Sequence, residues 1–256
     1  MRFYIQCKPR NRTARIPIQY NQYVQAYLYT IFEKTLPELH SEGYQVGNRR
    51  FRHFVFSRLF SKNVHRDGDY LLFSESIQFY ASFLVEPMPK IVIEHLITDQ
   101  NLRLANEEFQ VTDARVFADP FNFDDQPEKF PIESEIQTLS PVVTYRTENR
   151  EGRKYTHYFK PYDPEFPEEI KNNLLRKYES IFHQPYAEPD QFHLVPTRFE
   201  QPRDESVLKF KGTVIKGYSG HFHLRCSPTL FKIAYHTGLG SKNAQGFGMF
   251  KILEPR

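Results

Sequence analysis

Apolar and polar positions alternate along RFYIQCKP, residues 2–9, and a period of two predicts a strand with one buried face. After the turn NRTAR the spacing changes. Val24, Tyr27, Leu28, Ile31 and Phe32 recur at helical intervals through QYNQYVQAYLYTIFEKTL, an amphipathic helix that must end before Pro37. Alternation returns in FRHFVFSRLF and LLFSESIQFYASF, separated by the turn-rich SKNVHRDGDY, so a β-hairpin is expected there. KIVIEHLI, after two prolines, reads as a helix, and NLRLANEEFQVTDARVF as further β structure. The order is βαββαβ.

ADPFNFDDQPEKFPIES lacks periodicity and is rich in Pro and Asp, which marks a linker. Beyond it the pattern starts over. QTLSPVVTYRT reads as a strand, PEEIKNNLLRKYESIF as a helix with Pro and acids in its first turn, and VLKFKGTVIKGYSGHFHLRC as a hairpin. SPTLFKIAYHT reads as a helix capped by Ser227 with Pro228 first inside it, and GMFKIL as a closing strand. Two such units predict an α+β protein of tandem ferredoxin-like (RRM-like) βαββαβ domains, residues 1–126 and 136–256.

Composition narrows this only slightly. A chain of 256 residues has room for about one or two domains of ~100–150 residues each. The net charge of +3 is mild, so any nucleic-acid surface must come from local clusters of Lys and Arg. Aromatics are plentiful, with 24 Phe and 16 Tyr but no Trp. Cys7 and Cys226 are too few for a zinc site, stand in no CxxC, and read as small core residues. No apolar run reaches the ~20 residues of a membrane span or forms a signal peptide, and the expectation is a cytoplasmic protein.

GLGSKNAQGFGMFKIL, beginning at Gly238, crowds Gly238, Gly240, Gly246 and Gly248 into eleven residues. A nucleotide-binding P-loop would carry G-x-x-x-x-G-K-[ST] and open a helix. This loop follows a helix and precedes a strand, the reverse order. Glycine permits close backbone approach. Through GLGSKNAQGFG the chain resembles RNA-processing proteins, and that resemblance implies a loop running along an RNA backbone in the groove between the domains, with Lys242 and Asn243 reaching phosphate or base; the alternative is a loop that only braces the last helix.

A tandem ferredoxin-like chain ending in GLGSKNAQGFG resembles the CRISPR repeat-processing endoribonucleases of the RAMP superfamily. IPIQYNQYVQAYLYTIF is similar to their first helix, and QTLSPVVTY to the opening strand of their second domain. The resemblance implies an enzyme that cuts precursor CRISPR RNA within each repeat without metal or other cofactor, leaving a 2′,3′-cyclic phosphate and a 5′-hydroxyl. Its partners would be repeat RNA and, in addition, effector-complex proteins, with the chain a monomer or homodimer and no membrane involved. Family roles of a helix tyrosine, a following histidine and a lysine fall here on Tyr29, His40 and Arg52. Arg52 departs from the lysine; a guanidinium clamps phosphate but shuttles no proton. Arg49 or Arg50 is an alternative for that role, and His53 is a rival proton carrier. The plain readings are a solvated His40, a core Tyr29 and a solvated basic loop. Two other functions stay open: a member that binds repeat RNA without cutting it, and an RNA-coating effector subunit.

Arg49, Arg50, Arg52, Arg58 and Lys62, then Lys209, Lys211, Lys216 and Arg225, set cations beside alternating strands with aromatics between them, a combination suited to RNA. His221 and His223 share a strand face but lack further ligands, so a buried or base-contacting pair is expected rather than a metal site. The acids from Asp124 to Glu135 read as a solvated linker.

Overall fold

The computed structural model describes residues 1–33, 36, 43–47, 49–121, 127, 130–150, 152–187 and 191–253. The first half runs β1 (Arg2–Pro9), β2 (Ala14–Pro17), α1 (Asn21–Phe32), β3 (Tyr44–Val46), β4 (Arg49–Phe51), β5 (Phe54–Phe56), β6 (Val64–Asp67), β7 (Tyr70–Phe73), β8 (Ile77–Phe83), α2 (Met88–Thr98), β9 (Asn101–Leu104) and β10 (Glu107–Phe117). The second half runs β11 (Ile132–Thr138), β12 (Tyr145–Arg150), β13 (Arg153–Tyr158), α3 (Glu165–Phe182), β14 (His193–Arg198), β15 (Glu205–Phe210), β16 (Thr213–Tyr218), β17 (His221–Cys226), α4 (Pro228–Thr237) and β18 (Phe250–Ile252).

Each half builds one antiparallel sheet with its two helices on one face. The first sheet has the order β5-β8-β1-β10-β9 and the second β14-β17-β11-β18. In both, the strand that opens the unit lies between the last strand and the third, which is the ferredoxin-like order. Alternation explains the layering: Phe3, Ile5 and Cys7 of β1 and Phe79, Ala81 and Phe83 of β8 turn inward and are fully buried, together with Val24 and Leu28 of α1. Ile136, Leu174, Phe222, Leu224, Phe231 and Phe250 form the second core. Each such side chain contributes about 1.5–3 kcal/mol by leaving water.

The expected hairpin of the first half is interrupted. β5 and β8 do pair, but between them β6 and β7 form a separate hairpin that adds β2. In the second half VLKFKGTVIKGY folds as the β15–β16 hairpin outside the sheet, and HFHLRC pairs instead with β14, a strand masked in the sequence by Pro196. QTLSPVVTYRT is not one strand: β11 ends at Thr138, after which Val142 and Val143 make only isolated bridges. Glu133 and Glu135 lie on β11 rather than in a linker, and their carboxylates bracket His223, at 2.8 Å from Nε2 and 3.2 Å from Nδ1. His223 is thus partly exposed between two carboxylates rather than buried. Cys7 and Cys226 are buried in the two cores, one in each, and no helix among the described residues is long and apolar enough to cross a membrane.

The halves are pinned to one another by buried polar contacts. Arg2 donates to the carbonyls of Phe250, at 2.7 Å, and Tyr235, and stacks on the Tyr235 ring. The His236 ring on α4 is bonded at Nδ1 to Ser82 of β8, at 2.9 Å, and at Nε2 to Asp119, at 2.9 Å. Burial lowers the pKa of His236 to about 4 despite that carboxylate. Ser140 Oγ donates to Phe56 O at 3.1 Å.

Candidate active site

A cleft of about 450 Å³ opens where α1, β4, α3 and the glycine loop meet. Helix α1 contributes Gln25 and Tyr29, one turn apart and so on one face. The adjoining face, with Val24, Leu28, Ile31 and Phe32, is buried in the first core. Gln25 Nε2 donates to Ala244 O at 2.7 Å, and Asn21 Nδ2 to Gln245 O at 2.7 Å, so the loop is docked on the first turns of the helix.

Tyr29 packs edge-on against Phe54, with ring centroids 5.6 Å apart. Burial raises its pKa, and the Arg52 guanidinium, which hydrogen-bonds its hydroxyl, pulls the other way without cancelling the effect. The hydroxyl therefore stays protonated at neutral pH. Arg52 lies against Gly43, at a position with φ of +60° where a Cβ would collide with the guanidinium. Arg49 and Arg50 of β4 are exposed, while Phe51 of the same strand is buried. His40 lies outside the described residues.

His53 lines the cleft but is only 3 % exposed. Its Nε2 is bonded to Ser180 Oγ at 3.0 Å, and burial together with the nearby Lys177 ammonium drives its pKa down to about 3. A neutral, buried imidazole is poorly placed to exchange protons with solvent.

The four glycines of the loop are buried, and they serve the loop's own packing. A Cβ on Gly246, with φ of +84°, would strike the Phe56 ring of β5, and one on Gly248, with φ of +83°, would strike the Leu239 carbonyl. The residues that face the cleft are Ser241 to Gln245. Among them Lys242 reaches over the Tyr145 ring, 5.3 Å from its centroid, and half-burial lowers its pKa. Asn243 is engaged inward: its Nδ2 donates to Leu239 O at 3.0 Å and Phe247 O at 2.9 Å, closing the loop on itself. Its amide nitrogen is thus committed to the loop itself, while the residue still lines the cleft.

Sequence reading missed what α3 brings. Lys177 and Asn173 lie on the cleft floor, 2 % and 4 % exposed. Lys177 Nζ donates to Gly238 O at 2.7 Å and Thr237 O at 3.2 Å, at the C-terminus of α4 where carbonyls lack helical partners. In all, Arg49, Arg50, Arg52, Lys177 and Lys242 line the cleft, and no carboxylate does among the described residues.

Apart from the cleft, the open face of the first sheet carries an aromatic cluster. Tyr80 sits between Tyr4, at 5.5 Å, and Phe117, at 6.1 Å, with Phe60 at 6.5 Å and Arg115 over the Tyr4 ring. Phe60 and Phe117 are 37 % and 41 % exposed. Of the other predicted cations, Arg58 is bonded to Ser206 and Ser219 across the halves, and Arg225 lies 3.8 Å from Glu133. Among the described residues no three His, Cys, Asp or Glu side chains gather as a metal site.

Two ferredoxin-like units joined around a cationic cleft, with a glycine loop between last helix and last strand, define a RAMP-type protein. Residues 15–115 match the family model for CRISPR-associated protein Cas6, N-terminal, and residues 125–252 that for CRISPR associated protein Cas6, C-terminal, so the chain belongs to the Cas6 family. It is 28 % identical to the CRISPR-associated endoribonuclease Cas6 of Pyrococcus furiosus over 98 % of this chain and 90 % of that protein. It is 27 % identical to CRISPR-associated endoribonuclease Cas6 1 of Methanocaldococcus jannaschii, over 100 % of this chain and 94 % of the other. The fold is similar to that of a Cas6-related gene product from Pyrococcus furiosus, with a TM-score of 0.80, 21 % identity and coverage of 100 % and 99 % of the two chains.

Proposed function

We propose that the chain is an endoribonuclease that cleaves precursor CRISPR RNA within its repeats, by attack of a 2′-hydroxyl on the adjacent phosphate and without a metal. The observation that carries this reading is the convergence of Tyr29, the Arg49–Arg52 segment and Lys242 on one cleft of about 450 Å³ that no carboxylate lines among the described residues. Such a wall of cations suits a phosphate and the additional charge of its phosphorane. The relatives named as endoribonucleases over nearly the full chain support the same class.

In this mechanism the 2′-oxygen forms a bond to phosphorus as the bond to the 5′-oxygen breaks. The 2′-proton goes to a base and the leaving oxygen receives one from an acid. A hydroxyl held protonated, as Tyr29 is, suits donation; His40 is assigned the base, because an imidazole can take up a proton and pass it on. Arg52 clamps a phosphate oxygen and orients Tyr29, with Arg49 and Arg50 guiding the flanking strand. Unpaired bases stack on the Tyr4–Tyr80–Phe117 cluster. The test is single-turnover cleavage of repeat RNA in EDTA by wild type, Tyr29→Phe and His40→Ala. The reading expects both variants to be at least about a hundredfold slower, in line with general acid–base contributions; wild-type rates in His40→Ala would remove its assignment.

A further inference from the structure

Lys177 on the cleft floor is 2 % exposed, and among the described residues no carboxylate lines the cleft around it. Its ammonium repels a proton from His53, and burial holds its own pKa well below the ordinary lysine value. Arg176, the preceding residue, has a buried Nη1 with no partner among the described residues, and burial and the like charge of Arg49 lower its pKa against the pull of Glu169. One turn earlier, Asn173 Oδ1 is likewise buried without a partner.

Burying an ammonium without a counter-ion costs several kcal/mol. Capping two helix-end carbonyls does not require that expense, since an amide or a solvated lysine does the same. The chain nonetheless places the charge directly beneath a cleft whose walls carry Arg49, Arg50, Arg52 and Lys242. A phosphate bound there brings a counter-charge.

We infer that Lys177 is a positioning residue of the cleft, an inference that rests on the RNA-cleaving reading above. Its ammonium fixes the start of the glycine loop from below, through Gly238 O and Thr237 O. Its charge, screened from solvent, draws the scissile phosphate toward the loop without touching it. Because the phosphate gains charge on the way to the phosphorane, this field stabilises the transition state more than the bound substrate.

The test uses the full chain and the RNA of its own CRISPR repeat, in EDTA, with single-turnover rates measured across protein concentrations and melting curves on the same preparations. Lys177→Met removes the charge and both hydrogen bonds; Lys177→Gln keeps an N–H donor without the charge; Lys177→Arg keeps the charge. The expected result is a maximal rate about tenfold lower for Met and Gln, half-saturation within about twofold, a melting temperature not below wild type, and partial recovery with Arg. Wild-type rates in Lys177→Gln, or an equal loss in Gln and Arg, would overturn the inference by reducing Lys177 to a cap or a shape. Should Met fail to fold, Gln and Arg decide. A wild type that binds its repeat RNA but never cuts it contradicts the functional reading, and overturns with it an inference that assigns Lys177 to the cleavage step.

Discussion

Gln25 on the first helix donates its side-chain amide to the Ala244 carbonyl of the glycine loop at 2.7 Å, a contact between residues 219 positions apart. Tyr29 stands one turn further along the same helix face. The bond therefore ties the position of the candidate acid to that of the loop. In Gln25→Ala the carbonyl loses this partner, and a buried polar group so orphaned costs about 1–3 kcal/mol. The expected outcome is a stability loss in that range by urea denaturation, accompanied by slower repeat cleavage at saturating protein. Unchanged cleavage would separate the loop from the chemistry.

Arg52 touches both Tyr29 and the cleft. Arg52→Lys retains a charge but not the planar fork, and Arg52→Ala removes both. Cleavage is expected to fall about tenfold or more in Ala and by less in Lys, with folding unchanged by circular dichroism. Equal rates in the three proteins would assign the cation role to Arg49 or Arg50.

Gly246 and Gly248 brace the loop against Phe56 and Leu239. An alanine at either site needs a left-handed backbone and meets occupied space, so each substitution is expected to destabilise the fold by more than about 1 kcal/mol. A melting curve of Gly248→Ala that matches wild type, together with weaker binding of repeat RNA, would assign these glycines to RNA contact instead.

Two buried histidines set the acid limb of stability. His53, held at a pKa of about 3, and His236, at about 4, stay neutral in the folded chain but titrate near 6.5 once unfolded. Below pH 6.5 the unfolded chain therefore binds more protons. Stability is complete above that pH and declines as pH falls toward 4 and then 3, by at most about 1.4 kcal/mol per pH unit for each histidine. Urea midpoints from pH 7 to 4 should follow this slope, and His53→Gln should flatten it.

Both βαββαβ units were legible because their core strands and helices keep clean periods: RFYIQCKP and YVQAYLYTIF bury the positions that spacing selects. The inserted hairpins were not, since β15 and β16 alternate as well as any sheet strand and only packing sends HFHLRC to β14. Tyr29 and Arg52 emerged through the family resemblance and share one cleft. Lys177, Asn173 and Ser180 escaped notice because polar residues at helical spacing read as a solvent face; nothing local shows that α3 turns that stripe inward. Asn243 looked like a reaching side chain, and its inward amide depends on a loop closure that composition does not encode.

The central claim is cleavage by the RNA's own 2′-hydroxyl in this cleft. Incubation of repeat RNA with the protein in EDTA, followed by analysis of the product ends, tests it most directly. The account predicts a 2′,3′-cyclic phosphate on the upstream fragment and a 5′-hydroxyl on the downstream one. A 3′-hydroxyl product, or cleavage only on adding a divalent metal, would contradict it.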